Sequence, residues 1–297
     1  MLRATEETGV PIPPRDPEAA LNQLLNEGVT WGDAAAWLPA LPKESVDLFF
    51  TSPPYADMRD YSRIHPDRYV EWFLPFARSM LATTKRSGSF VLNIKDRVVR
   101  GERHPYVFEL AIALQHMGWR WIETYIWHKP NAIPGRFGPR TKDAYEYVFW
   151  FGREKPYFDL DVIRVPYKTP ASEIERREQD SSPRRNTAAG HGRKRAQTWK
   201  HGGADPGNVI VVPQTYNQHY GVGHTAAMPE GLAEWVIKAG SRPGSVVIDP
   251  FAGSGTTTVV AWRVGRRAGG LEVHRDFVEE ARVRLAARPL DGIAACL

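Results

Sequence analysis

The sequence predicts an α/β protein built on a mostly parallel, doubly wound sheet. Short apolar runs typical of buried strands alternate with segments of helical periodicity over most of the chain. Two of these runs end in unusual loops, Ser52-Pro53-Pro54-Tyr55 and Asp249 to Thr257. Because open α/β sheets bind ligands beyond the carboxyl ends of their strands, these loops are the candidate functional segments.

The first half of the chain supplies strands and helices in alternation. Residues 1–15 are rich in proline and predict a flexible N-terminal arm, after which Asp16 is placed to cap a helix that starts at Pro17. Further helices are expected over 34–41, 68–84 and 106–117, with Pro75 kinking the second of these. Apolar runs predict strands over 29–31, 46–50, 89–94, 119–127 and 144–151, which completes a half spanning residues 16–152.

The character of the sequence changes after Gly152. Residues 153–208 are polar and rich in Pro, Gly, Arg and Ser, which predicts an inserted module rather than part of the core. Regular structure resumes in a second half of the same domain, residues 209–297. There we expect strands over 209–212, 245–249 and 268–271, a helix over 228–239, and another helix opening at 256–258.

The composition excludes several classes of protein. No apolar run approaches the length of a membrane span, and the N-terminus lacks a signal-peptide core, so a soluble cytoplasmic protein is expected. The one cysteine, Cys296, cannot supply a disulfide scaffold or a thiolate metal site. His65, His104 and His128 lack ligand-like spacing, so no metal is predicted.

Positive charge is concentrated in one segment of the predicted insert. The net charge is +5, whereas residues 183–201 alone carry six basic side chains and no acidic one. Such a segment is typical either of a solvated loop or of a surface that binds a polyanion, and the interleaved Trp199 favours contact with nucleic-acid phosphates. The candidates are Arg184, Arg185, Arg193, Lys194, Arg195 and Lys200, together with Arg136 and Arg140 in the loop 134–141.

The loop Ser52-Pro53-Pro54-Tyr55 suits a flat ring that carries an amino group. Its two prolines stiffen the backbone and remove two N–H donors, which leaves carbonyl acceptors. The Ser52 hydroxyl and the Pro53 carbonyl can each accept one N–H of an exocyclic amine, which would localise the lone pair of its nitrogen. The aromatic ring of Tyr55 is expected to stack on the bound ring.

The second loop, from Asp249 to Thr257, suits a nucleoside ligand. It carries Gly253 and Gly255, which permit close approach of the backbone to a ligand, although two glycines alone are also typical of a plain tight turn. Thr258 replaces the third glycine of a dinucleotide fingerprint, and no lysine follows as in a P-loop. Glu272, at the end of the next predicted strand, can accept hydrogen bonds from both ribose hydroxyls, which favours the nucleoside site.

Together the two loops resemble the β-class amino-methyltransferases of DNA, found in bacterial and phage modification systems. In this family the catalytic tetrapeptide comes early and the cofactor loop late, as do 51–55 and 249–257 here. Gly32-Asp33 and the segment 224–230 match two further family segments, with Met228 standing where an aromatic residue is commoner. The resemblance covers residues 29–152 and 209–285 and rests on four motifs in the family's order.

The resemblance implies a circularly permuted, Rossmann-like methyltransferase that uses S-adenosylmethionine and acts on a base flipped out of double-stranded DNA. Residues 153–208 would form its target-recognition module. Serine at the first catalytic position accompanies cytosine-N4 methylation in this family, so Ser52 points to cytosine. The implied catalytic residues are Ser52, Pro53, Pro54 and Tyr55, and the implied cofactor contacts are Asp33, Thr51, His224, Thr225, Ala226, Pro229, Asp249, Pro250, Phe251, Ala252, Gly253, Ser254, Gly255, Thr256, Thr257 and Glu272.

Three other functions stay open on the sequence. Adenine-N6 methylation is disfavoured by Ser52, and a catalytically silent DNA-binding homologue is disfavoured because both loops are intact. RNA methylation shares the same chemistry, and the basic segment does not separate duplexes from single strands. The resemblance also leaves open whether a cognate restriction endonuclease accompanies the protein and whether it forms a homodimer.

Overall fold

The computed structural model describes residues 9–56, 64–132, 138–168, 172–173, 202–214 and 228–287. The helices in these ranges are α1 Pro17–Glu27, α2 Ala34–Trp37, α3 Pro66–Thr83, α4 Tyr106–Met117, α5 Glu230–Gly240, α6 Thr256–Arg263 and α7 Arg275–Ala286. The strands are β1 Val29–Trp31, β2 Val46–Thr51, β3 Thr84–Ile94, β4 Arg97–Val99, β5 Glu102–His104, β6 Arg120–His128, β7 Tyr145–Gly152, β8 Val209–Val211, β9 Val246–Asp249 and β10 Arg267–Glu272.

One eight-stranded sheet organises the molecule, in the order β1-β10-β9-β2-β3-β7-β6-β8. Neighbouring strands are parallel except where β7 pairs with β3 and with β6. This confirms the predicted mostly parallel sheet. Strands β1, β10, β9, β2 and β3 end side by side at what we call the carboxyl edge, where the antiparallel β7 begins.

Both faces of the sheet are buried, as expected for parallel strands between two layers of helices. Side chains alternate between two clusters along each strand, so that Phe49 joins the cluster formed with α1 to α4. Its neighbours Leu48 and Phe50 join the cluster formed with α5 and α6. The doubly wound arrangement is therefore present. Strands that are buried on both faces are also why the sequence shows nearly continuous apolar runs.

Strand β3 is longer than the sequence indicates. Strand β3 starts at Thr84, whereas the apolar pattern predicts a start at residue 89. Gly88 lies inside the strand at an irregularity in the register with β2, and a Cβ there would lie 2.9 Å from the Asp47 carbonyl. The glycine therefore marks a close backbone approach rather than the end of an element.

Two further elements differ from expectation. The predicted helix over 34–41 is a single α-turn, α2, followed by a 3₁₀ turn over Leu38–Ala40, in which Pro39 lacks the N–H that an α-helix would need. The β4–β5 hairpin was not predicted, because strands of three residues leave too short a pattern. It follows β3 at the carboxyl edge, and Arg97 Nη1 donates to the Ala56 carbonyl at 3.3 Å.

The flanks of the predicted insert lie at the edge opposite to the carboxyl edge. After β7, the Tyr157 amide donates to the Ser87 carbonyl at 2.9 Å and the Asp159 amide to the Ala239 carbonyl at 2.8 Å. The returning flank is joined to this segment by the bridge between Val165 and Ala204. The basic segment between the flanks lies outside the described residues. None of the helices described here is both long and apolar enough to cross a membrane.

Candidate functional site

The structure brings the two predicted loops together at the carboxyl edge. Strands β2 and β9 are neighbours, with Phe49 opposite Ile248. At their ends the Thr51 hydroxyl donates to Asp249 Oδ1 at 2.6 Å, although the two residues are 198 positions apart in the chain. Ser52, the next residue, is thereby held beside the glycine loop.

The Asp249 carboxylate organises this junction. It is 2% exposed, and besides Thr51 it accepts a hydrogen bond from the Thr257 hydroxyl at 2.7 Å and one from the Phe251 amide at 3.0 Å. Burial raises the pKa of Asp249 to about 6, while these hydrogen bonds act in the opposite direction. Its contact with a cofactor stays a prediction.

The raised pKa of Asp249 predicts a pH-dependent cost to stability. Since the folded-state pKa of about 6 exceeds the unfolded value, the stabilisation that the protonated Asp249 carboxyl contributes is fully present below about pH 4 and is lost as the pH rises through 6. Between pH 4 and pH 7 we therefore expect the free energy of unfolding of Asp249→Asn to rise by roughly 3 kcal/mol relative to that of the wild type. Urea unfolding at several pH values measures this, and a difference that does not change with pH would contradict it.

The glycine loop needs its glycines for backbone conformation. Gly253 and Gly255 have φ angles of 52° and 77°, which favour glycine. A Cβ on Gly255 would also lie 3.1 Å from side-chain atoms of Val29 and Ala281. Phe251 fixes the outer part of the loop by packing edge-on against Phe76, with ring centroids 5.1 Å apart.

Glu272 ends β10 and lies beside the glycine loop. Asp33 lies just beyond β1, the strand that pairs with β10. The Glu272 carboxylate is 8% exposed and accepts from the Gly253 amide at 2.9 Å and from the His274 amide at 2.8 Å. Burial raises the pKa of Glu272. Together with the Val273 amide, these amides use part of its acceptor capacity of about four lone-pair sites, which leaves one for a ligand hydroxyl. Asp33 caps α2 by accepting from the Ala35 amide at 2.8 Å.

The Ser52 loop is held from behind by α3. Tyr69, which is fully buried, donates its hydroxyl to the Pro54 carbonyl at 2.9 Å. The predicted acceptors, the half-buried Ser52 hydroxyl and the Pro53 carbonyl, are distinct from the carbonyl that Tyr69 occupies.

A buried polar network lies behind Ser52 and Tyr55, and the sequence analysis did not identify it. The Tyr55 hydroxyl lies 2.9 Å from Ser52 Oγ and donates to Glu146 Oε2 at 2.7 Å. Glu146, which is 5% exposed, forms an ion pair with Lys129 and accepts from Asn93 Nδ2 at 3.1 Å. One signal could have found it: Glu146 is a charged residue within an otherwise apolar strand, where a charge needs a partner.

Other predicted site residues are only partly placed. Pro229 is the residue before α5, and Arg140 lies half-buried in the connection from β6 to β7, which reaches the carboxyl edge. Ser254 and Thr256 accept hydrogen bonds from Arg284 at 2.9 and 3.1 Å. The predicted site residues outside the described ranges are His224, Thr225, Ala226, Arg136, Arg184, Arg185, Arg193, Lys194, Arg195 and Lys200. The described residues contain no group of three or more His, Cys, Asp or Glu that could hold a metal ion.

Comparison with known proteins gives matches over most of the chain. Residues 46–283 match the N6/N4 methyltransferase family, described as DNA methylase. The type II methyltransferase M.PvuII of Proteus hauseri is 30% identical over 85% of this chain and 82% of its own length. M.SmaI of Serratia marcescens is 29% identical over 86% of this chain and 90% of its own length.

Solved structures with the same fold agree with these matches. The cytosine-N4-specific PvuII DNA methyltransferase superposes with a TM-score of 0.66 and 26% identity, covering 86% of this chain and 85% of its own. A Thermus thermophilus protein classed as a putative DNA modification methylase, complexed with S-adenosyl-L-methionine, superposes with a TM-score of 0.59 and 26% identity. That match covers 87% of this chain and 93% of the other.

Proposed function

Because the chain belongs to the N6/N4 family of DNA methylases, we propose that it transfers a methyl group from S-adenosylmethionine to N4 of a cytosine at a specific site in DNA. The membership confirms the resemblance that the motifs predicted. The observation that carries the proposal is the hydrogen bond between Thr51 and Asp249. It places the Ser52 loop, which suits an amine, against the glycine loop, which suits a nucleoside.

The geometry fits direct transfer to an exocyclic amine. The lone pair of such an amine is delocalised into the ring, so the amine is a weak nucleophile until its two N–H groups are held. Ser52 Oγ and the Pro53 carbonyl accept these N–H groups and aim the nitrogen lone pair at the sulfonium methyl. S-adenosylmethionine supplies that methyl group. A base inside a duplex cannot reach this edge, so the target cytosine is flipped out and stacks on Tyr55.

The ends of β1, β9 and β10 would hold the cofactor. Glu272, which accepts from the Gly253 amide, would accept from a ribose hydroxyl, and Asp33 would contact the adenine. The glycine loop lacks the third glycine of a dinucleotide fingerprint and the lysine of a P-loop, which suits a ligand without a pyrophosphate. Phe251, Ala252 and Gly255 would also contact the cofactor.

Cytosine is favoured over adenine by Ser52. A serine hydroxyl is a weaker acceptor than the carboxylate or amide that stands at this position in adenine-N6 enzymes of the family. The PvuII methyltransferase, which is cytosine-N4-specific, also supports this choice. As a type II enzyme in a bacterial cytoplasm, the protein would act with a restriction endonuclease of the same specificity.

The product of the reaction tests the proposal. Unmethylated bacterial DNA is incubated with the protein and labelled S-adenosylmethionine, digested to nucleosides and analysed by mass spectrometry. We expect N4-methylcytosine as the labelled product. N6-methyladenine would overturn the choice of base, and label recovered from RNA but not from DNA would overturn the substrate class.

We further propose that the basic segment 183–201 binds DNA phosphates. Its six positive charges without an acidic residue support this, and Arg140, on the connection at the carboxyl edge, would add a contact closer to the flipped base. Phosphate contacts release counterions. For each contact, the logarithm of the affinity therefore falls by about 0.9 for every tenfold rise in salt concentration.

The salt dependence of DNA binding tests this surface. Replacing Arg193, Lys194 and Arg195 together with alanine should reduce the slope of log affinity against log salt by about 2 to 3. Arg282→Ala is the control, because Arg282 is exposed on α7, a helix that packs beside β1 rather than beside the insert, and pairs with Glu279. An unchanged slope in the triple variant would mean that the segment does not contact phosphates.

A further inference from the structure

We propose that Glu146 is the terminal proton acceptor of the reaction, reached from the methylated amine through Ser52 and Tyr55. The inference rests on the proposed function and deepens it, since it names where the amine's surplus proton goes. Tyr55 thereby acquires a second role besides stacking. Its hydroxyl links the residue that touches the substrate to a carboxylate that does not.

The direction of each hydrogen bond along the path from Ser52 through Tyr55 to Glu146 follows from the donors available. Glu146 as a carboxylate only accepts, so the single phenolic proton of Tyr55 goes to its Oε2, 2.7 Å away. The Asn93 Oδ1 atom, at 3.5 Å, is the poorer alternative acceptor. With its own proton committed, the Tyr55 oxygen accepts from Ser52 Oγ at 2.9 Å.

This direction makes Ser52 an acceptor toward the substrate. Its one proton points at Tyr55, so the remaining lone pairs of Oγ are available to an N–H of the cytosine amine. Without Glu146 the Tyr55 proton could turn toward Ser52, and the serine hydroxyl could then donate to the amine and hold its lone pair back. Glu146 therefore orients Ser52 before the reaction and receives the proton after it.

The surroundings of Glu146 hold it as a paired carboxylate before the reaction. Its charge is compensated by the ammonium group of Lys129, whose side chain is 7% exposed. In the part of the chain that the structure describes, the hydroxyls of Tyr55 and, farther away, Tyr106 also interact with it. Burial raises the pKa of Tyr55 well above its usual value, so the phenol holds its proton before the reaction.

The proton transfer balances without another reactant. Methyl transfer leaves a positive charge on N4, and one N4–H bond breaks as the proton moves to Ser52 Oγ. The serine proton moves to Tyr55 and the Tyr55 proton to Glu146 Oε2, which ends as a neutral carboxylic acid beside Lys129. Loss of that proton to water after the product leaves restores the starting state.

Tyr55→Phe and Glu146→Gln test the chain at two points. Tyr55→Phe keeps the ring for stacking and keeps the ion pair of Glu146 with Lys129, so it remains informative even if Glu146→Gln does not fold. We expect each variant to lower kcat about 100-fold, the range of general acid–base catalysis, with little change in the affinity for DNA or cofactor. The double variant should be no slower than the single variants, since each substitution interrupts the same proton path. Tyr145→Phe, which removes only a contact with the Tyr147 hydroxyl, is the matched control.

A solvent isotope effect separates proton transfer from a merely structural role. In the wild type kcat should be lower in D2O than in water, because protons move through Ser52 and Tyr55, and this difference should shrink in Tyr55→Phe and Glu146→Gln but be retained in Glu146→Asp. If wild-type protein makes N4-methylcytosine but Tyr55→Phe keeps full kcat, the proton path is overturned while the proposed function stands. If the wild type makes no N4-methylcytosine, the proposed function itself has failed.

Discussion

Ser52→Ala should lower kcat by about 10²- to 10³-fold and leave the binding of S-adenosylmethionine unchanged. The loss is of the size seen when one group that stabilises a transition state is removed from an enclosed site. Cofactor binding should survive because Thr51 and Asp249, whose hydrogen bond supports the glycine loop, are untouched. Pre-steady-state measurement of methyl transfer, with cofactor binding measured by calorimetry, gives both quantities.

A serine at the other end of β2 serves as the control for this variant. The Ser45 hydroxyl donates to the Pro42 carbonyl at 2.8 Å, away from the carboxyl edge. Ser45→Ala should therefore leave kcat unchanged. Wild-type turnover in Ser52→Ala would show that Ser52 does not hold the amine.

Glu272→Ala should weaken the binding of S-adenosylmethionine by about 100-fold. One charge-assisted hydrogen bond to the ribose contributes about 1.5 to 3 kcal/mol and is lost. The variant also leaves the Gly253 amide without its carboxylate partner, which loosens the loop. Glu272→Gln keeps the shape and one acceptor oxygen, so it should lose less, about tenfold.

Equilibrium dialysis with labelled cofactor measures these affinities. Glu279→Ala is the matched control, because Glu279 is exposed on α7 and pairs with Arg282. An affinity close to that of the wild type in Glu272→Ala would place the ribose elsewhere. Unfolding measured in parallel would show whether Glu272→Ala acts on the loop or on the whole fold.

The parts of the site that the sequence predicted are those in which chemistry and local structure coincide. The Ser52 loop and the glycine loop each follow an apolar strand, so their residues could be placed at strand ends without tertiary information. Their proximity, now seen in the hydrogen bond from Thr51 to Asp249, followed only from the family's motif order.

The parts that were missed depend on contacts between distant segments. Glu146 lies on β7, and Lys129 directly follows β6, the antiparallel neighbour of β7. The residues next to each of them in the sequence do not indicate that the two side chains form an ion pair beside Tyr55. The extension of β3 back to Thr84 depends on its pairing with β2 rather than on its own apolar pattern. The roles of the basic segment and of residues 224–226 stay predictions, since they lie outside the described residues.

The strand order has a consequence for how the protein is made. The two halves that the sequence distinguishes are interleaved: β9 and β10 fill a gap between β1 and β2, and β8 extends the sheet beyond β6. While a ribosome is still synthesising the chain, the catalytic loop therefore exists next to an open gap with unpaired strand edges. The sheet closes only after Glu272, the last residue of β10, has emerged, so a nascent or truncated chain carries the amine-binding loop without a place for the methyl donor. Methylation by this protein therefore begins only after β10 has been synthesised.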